Sequence, residues 1–163
     1  LGVFYCRSDL RPQLKLHEYG WHMLEHAGDY DRSDWQPARS ARRFECGSPN
    51  MLGAVALEAS LSLLEEVGMH QVAASLNERM EWLRAGLRQL PGIELLSPAQ
   101  PERSAGIVTF RLAGSANQAL FEQLKAEQVV CALRGGGIRL SPHFYTPAGV
   151  IDDTLALLRS LAG

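Results

Sequence analysis

Cysteine is scarce in this 163-residue sequence, and Cys6, Cys46 and Cys131 are odd in number, far apart and without a CxxC pair. That argues against a disulfide framework or a zinc knuckle and for reduced thiols in a cytoplasmic protein. Long apolar runs are missing as well. No stretch reaches the roughly 18 residues that a membrane span requires. Neither sign of charge dominates, since sixteen Lys and Arg against eighteen Asp and Glu leave a formal −2. No overall field therefore recruits nucleic acid or an anionic membrane, and any anion site must be local. Metal motifs are lacking too. His17-Glu18 opens like HExxH, but the next histidine is His22, five residues after His17 with Gly20 between, so the two imidazoles do not share a helical face. Asp29, Asp31 and Asp34 imitate a calcium loop, yet Asp34 stands where the turn glycine belongs and Ser40 where the bidentate glutamate belongs. Arg134-Gly135-Gly136-Gly137 is a single RGG copy between strand-forming residues with no helix start after it, which predicts a hairpin rather than an RNA segment or a phosphate loop.

What is present is an ordinary globular balance, 46% hydrophobic and 21% charged, enough for a sizeable core. The chain opens on Leu1, and LGVFYC lacks the basic flank of a signal peptide, so it reads as starting within a longer protein. The apolar run GVFYCR, residues 2–7, predicts a buried strand. Residues 9–47 show weak periodicity and turn signals at Gly20, Gly28 and Pro37, predicting a long ordered loop with short helical pieces. Such loops carry function or cover a surface contributed from elsewhere. Trp21 and Trp35 in it could stack on a planar ligand or pack against a missing body.

Ser48-Pro49 predicts a helix start with Ser48 as the cap, the helix running to Val67 and stopping at Gly68. Leu52, Val55, Ala56, Ala59, Leu63 and Leu64 share one face of it. A second helix over 69–90 places Val72, Leu76, Met80, Leu83, Leu87 and Leu90 inward and Glu78, Glu81, Arg84 and Arg88 outward. Strand-like IELL (93–96) and AGIVTFRL (105–112) follow, then a helix to about residue 128 opened by a Ser115/Gln118 capping box. VVCALR (129–134) and GIRLS (137–141) predict a hairpin about Gly135-Gly136, and Thr146-Pro147 opens a last helix with Ile151, Leu155, Leu158 and Leu161 inward. That order implies an α+β domain, an antiparallel sheet covered on one side by helices.

Two constellations stand out. In RRFECGSPN (42–50), Gly47 and Ser48 sit at a helix N-terminus, where free amides, the macrodipole and a hydroxyl make a small phosphate or carboxylate site, or simply an N-cap. In GIRLSPHFYTP (137–147), Arg139 lies between Ile138 and Leu140, either held to present its planar fork to a carboxylate or on the solvated face of the sheet. Spacing leaves both pairs of readings open. His143 reads first as a hydrogen-bonding anchor of the turn into the last helix and second as a catalytic group. Cys131 reads as a small filler rather than a nucleophile.

In this order, GVFYCR, Tyr19-Gly20-Trp21, RRFECGSPN and GIRLSPHFY before a capped terminal helix resemble the C-terminal part of the class V aminotransferases. These are pyridoxal-phosphate enzymes of fold type I, a group that includes cysteine desulfurases, kynureninases and isopenicillin N epimerase-like proteins. The resemblance covers essentially the whole chain. It implies a remnant of the α/β large domain over 1–67 and the small C-terminal α+β domain over 68–163. It further implies that Ser48, flanked by Gly47, Pro49 and Asn50, reaches across a homodimer to the neighbouring subunit's cofactor phosphate. Arg139 would bind the substrate α-carboxylate, and His143 would be structural. In that family the lysine forming the Schiff base lies shortly before the strand that begins here at Gly2. Lys15 and Lys125, the two lysines present, do not stand in that context. The intact protein is thus expected to bind pyridoxal 5'-phosphate and act on an amino acid, and this segment alone to be inert. The desulfurase nucleophile loop is not evident, which lowers that branch. The competing expectation is a non-catalytic small-anion-binding or dimerisation module built on the helix start at Ser48.

Overall fold

Residues 1–98, 100, 103–114 and 116–162 are described by this computed structural model. They divide into two units, Leu1–Leu63 and Leu64–Gly163. The first is loop-rich, as the weak periodicity predicts, with 3-10 turns at Arg11–Gln13, Trp21–Met23 and Ala41–Phe44 ahead of helix α1 (Met51–Val67). Its segments are tied by backbone and buffered by few apolar contacts. Met23 and Ala38 are fully buried, Leu24 bridges Pro37, and the Ala38 N–H donates to the Met23 carbonyl at 2.8 Å. The Arg42 guanidinium closes the same loop, donating through Nη2 to the carbonyls of Leu24 and Glu25 at 2.8 and 2.9 Å.

In the second unit α2 (Met69–Arg88), α3 (Asn117–Ala126) and α4 (Ala148–Ala162) accompany four short strands. These are β1 (Ile93–Leu95), β2 (Val108–Leu112), β3 (Ala132–Arg134) and β4 (Gly137–Leu140), paired antiparallel in the order β1-β2-β4-β3. Strands this short hold only by burying one face. Val108 opposes Leu140 and Phe110 opposes Ile138, and all four are buried on the same side. Met80, Leu83 and Leu87 of α2, Leu120 and Leu124 of α3, and Ile151, Leu155 and Leu158 of α4 complete that core. The expected helices over one face of an antiparallel sheet are therefore present. The β3–β4 turn is made by Gly135 and Gly136 at φ of 61° and 79°, the left-handed pair that a two-residue hairpin requires.

Three expectations are corrected. Residues 2–7 are not a strand, and Val3, Phe4 and Tyr5 are 84%, 62% and 81% exposed, with only Cys6 buried. A strand needs a neighbour for its ladder, and none of the described residues offers one. The apolar face of α1 buries no residue. Arg84, assigned outward by its charge, is buried at 3% exposure. Four residues after Met80 and three before Leu87, position 84 belongs to the inner stripe by helical period whatever side chain stands there. The Ser115 capping box lies outside the described residues. α3 begins at Asn117, whose Oδ1 accepts the Leu112 N–H at 3.0 Å. Among the described residues no helix is long and apolar enough to cross a membrane.

Candidate functional site

The first constellation is built where the loop of the first unit enters α1. Tyr19-Gly20-Trp21 and RRFECGSPN are interlocked there. The His22 N–H donates to the Cys46 carbonyl at 3.3 Å, and a Cβ on Gly20 would lie 2.0 Å from that carbonyl oxygen. The cap of α1 is not Ser48 but Asn50, whose Oδ1 accepts the Gly53 N–H at 2.8 Å. Proline explains the displacement, since Pro49 pushes the preceding residue into extended backbone and leaves Asn50 as the last non-helical position. Ser48 and Gly47 are exposed, and no hydrogen bond among the described residues uses the Ser48 hydroxyl. The helix start is thus already capped, with a free hydroxyl two residues ahead of the cap.

The second constellation lies on the sheet face turned away from the helices. Arg139 is flanked across the ladder by Thr109 on β2 and Ala132 on β3, while its chain neighbours Ile138 and Leu140 point into the core. It is half-buried rather than solvated, and its Nε is out of contact with water and lacks a hydrogen-bond partner. Arg111, two residues along from Thr109 on the same face, is neutralised by Glu94 at 2.7 Å. No described carboxylate does this for Arg139. A guanidinium keeps its charge at any physiological pH, so Arg139 presents an unbalanced planar donor set suited to a carboxylate.

His143 is exposed, and the turn uses its backbone rather than its imidazole. Its N–H donates to Thr146 Oγ1 at 2.8 Å, the Thr146 N–H returns to its carbonyl at 3.0 Å, and its ring lies 4.2 Å from that of Tyr145. Sequence reasoning missed Arg79, which fastens this turn to α2 by donating from Nε to the Thr146 carbonyl at 2.6 Å. Its partner is 67 residues away, so no local pattern announces it. The two constellations belong to different units, Gly47, Ser48 and Asn50 to the first and Arg139 and His143 to the second.

Cavities do not mark the chemistry here. One of about 730 Å³ between the α3–β3 connection and α4 contains neither Arg139 nor His143, whereas His143 and Phe144 border another of about 590 Å³. Lys15 and Lys125 are both exposed, Lys125 lying over the Phe121 ring at 5.3 Å. Burial pushes the Cys131 thiol up from its ordinary range, with Lys125 opposing weakly, so it stays protonated near neutrality. Among the described residues no group of three or more His, Cys, Asp or Glu could hold a metal ion.

A profile of the family described as aminotransferase class-V matches residues 1–145. A probable cysteine desulfurase of Halalkalibacterium halodurans is 29% identical over 162 residues, 98% of this chain and 36% of that protein. The apo structure of a cysteine desulfurase from Thermococcus onnurineus NA1 superposes with a TM-score of 0.84 at 20% identity, over 97% of this chain and 42% of that one. A C-DES mutant with glycine covalently linked to its PLP cofactor gives 0.79 at 23% identity, over 95% of this chain and 40% of that one. The chain therefore spans less than half the length of each of these proteins.

Proposed function

The chain belongs to the class V aminotransferase family, and from that premise we propose that it is the C-terminal part of a pyridoxal-phosphate enzyme that acts on an amino acid, with Arg139 fixing the substrate carboxylate. The observation that carries this reading is the contrast on one sheet face between Arg111, neutralised by Glu94, and Arg139, which no described group neutralises. Residues 1–67 are then a remnant of the large domain and 68–163 the small domain.

The residues present fit part of such a cofactor's site. The free Ser48 hydroxyl and the Gly47 backbone ahead of a helix start are donors of the kind a phosphate takes, and in a homodimer they would serve the neighbouring subunit's cofactor. Asn50 orients that loop by holding the cap, and His143 shapes the turn behind Arg139. When bound, the cofactor supplies an electron sink. This chain's contribution is to bind and orient. Neither exposed lysine is a candidate for the reactive amine, which the reading assigns to a part of the enzyme outside these residues. Neither the protonated Cys131 thiol nor buried Cys6 is assigned a nucleophilic role here. The unpaired thiols support a reducing, cytoplasmic setting.

The test is made in the enzyme of which this chain is part. Arg139→Ala should lower kcat/KM for an amino acid roughly 30- to 1,000-fold, the equivalent of about 2–4 kcal/mol for a bidentate charge-assisted pair. An amine substrate lacking the carboxylate should lose far less. Equal losses for both substrates, or unchanged amino-acid kinetics, would remove Arg139 from the site.

A further inference from the structure

Arg84 carries a fixed positive charge into the helix-covered side of the sheet, the opposite face from Arg139. It is 3% exposed, and its Nε and Nη2 are both out of contact with water and without a hydrogen-bond partner. Those two nitrogens share one edge of the guanidinium, so their hydrogens point the same way at the spacing of carboxylate oxygens. The side chain lines a cavity of about 260 Å³ together with Arg88, Ile93, Leu95, Ser97 and Val108. Arg88 follows one helical turn later, and no ion pair among the described residues neutralises it. Arg88 is exposed, so solvent screens most of its repulsion of Arg84, and the uncompensated charge is that of buried Arg84. Native proteins pair their buried charges. One further donor is available. Ser97 Oγ accepts the Thr109 N–H at 2.7 Å, which leaves its own proton to give.

We propose that this cavity is a carboxylate-binding site, with the Arg84 guanidinium taking the carboxylate, Ser97 donating to it, and the exposed Arg88 adding charge at the rim. The carboxylate comes either from a free small acid or from an aspartate or glutamate outside these residues. The assignment is independent of Arg139 and of any cofactor.

The 163-residue chain is melted in chloride and in acetate at constant pH and ionic strength, and the ¹⁵N–¹H signal of Arg84 Nε is followed over the same series. Acetate at about ten times its Kd should raise the melting temperature by about 3–6 °C. The Arg84 Nε–H signal should shift as a bonded donor, and Arg84→Met should abolish the thermal response. Equal responses of the two proteins, or an Nε–H signal that does not move, would overturn the assignment. Should Arg84→Met fail to fold, the wild-type signal decides alone. In the full-length enzyme a free-acid site keeps the acetate response. A site filled by the protein's own carboxylate shows the shifted Nε–H signal before acetate is added, and a signal that is neither shifted nor responsive overturns the proposal there as well.

Discussion

Gly137 opens β4 two residues before Arg139, and replacing it with alanine should be among the more damaging single-methyl changes available in the second unit. A Cβ at that position would lie 2.2 Å from the carbonyl oxygen of Phe110 and 3.0 Å from Leu96 Cδ1. The first distance falls 1.2 Å short of the 3.4 Å at which ordinary contact begins. The obstructing atom cannot rotate away, because it belongs to the backbone of β2, where Phe110 pairs with Ile138. Overpacking of this kind costs about 1–3 kcal/mol and sometimes more. With a backbone atom in the way, the upper end applies, about 3 kcal/mol. For a chain of this size that lowers the melting temperature by about 6–12 °C. Gly136→Ala is the control. It has φ of 79° but nothing within 4 Å, so it should show only the left-handed backbone penalty of about 1–2 kcal/mol. Urea and thermal unfolding followed by circular dichroism would rank the two. If Gly137→Ala proves no worse than Gly136→Ala, the crowding argument for the β2–β4 approach is wrong.

The cap assignment predicts that Asn50→Ala loses about 1 kcal/mol while Ser48→Ala stays within about 0.5 kcal/mol, read from helical signal and melting. The opposite ranking would restore Ser48 as the cap. Cys131 should alkylate with iodoacetamide more slowly at pH 7 than an unfolded cysteine, because burial disfavours its thiolate. The folded state also keeps that proton to higher pH than the unfolded state. Its contribution to stability is therefore complete below the ordinary thiol range and is lost as pH rises through the folded pKa. Cys131→Ala should flatten that alkaline fall in the urea midpoint, and an unchanged slope would show that the thiol is not responsible.

Element order was legible because it rests on short-range physics. Apolar spacing of three and four marks α2 and α4, and Gly135-Gly136 marks the hairpin. The ends of elements were less so. Ser48-Pro49 reads as the cap, but the cap falls at Asn50 because proline restricts the residue before it. The run at 2–7 has strand composition but no ladder partner among the described residues, and composition cannot report the presence of a neighbour. The candidate site divided in the same way. The family was readable from motif order, which the profile over residues 1–145 supports.

By itself the amino-acid order determined periodicity, turn chemistry and the place of each charged residue along its element. Only the tertiary structure decided which of those charges are neutralised. Glu94 reaches Arg111 across 17 residues of chain, while Arg139 on the same face and Arg84 beneath the other find no described partner. The reason is physical. Propensity and period act over a few bonds, whereas the state of a charge depends on burial and on whichever groups folding brings within a few ångströms of it.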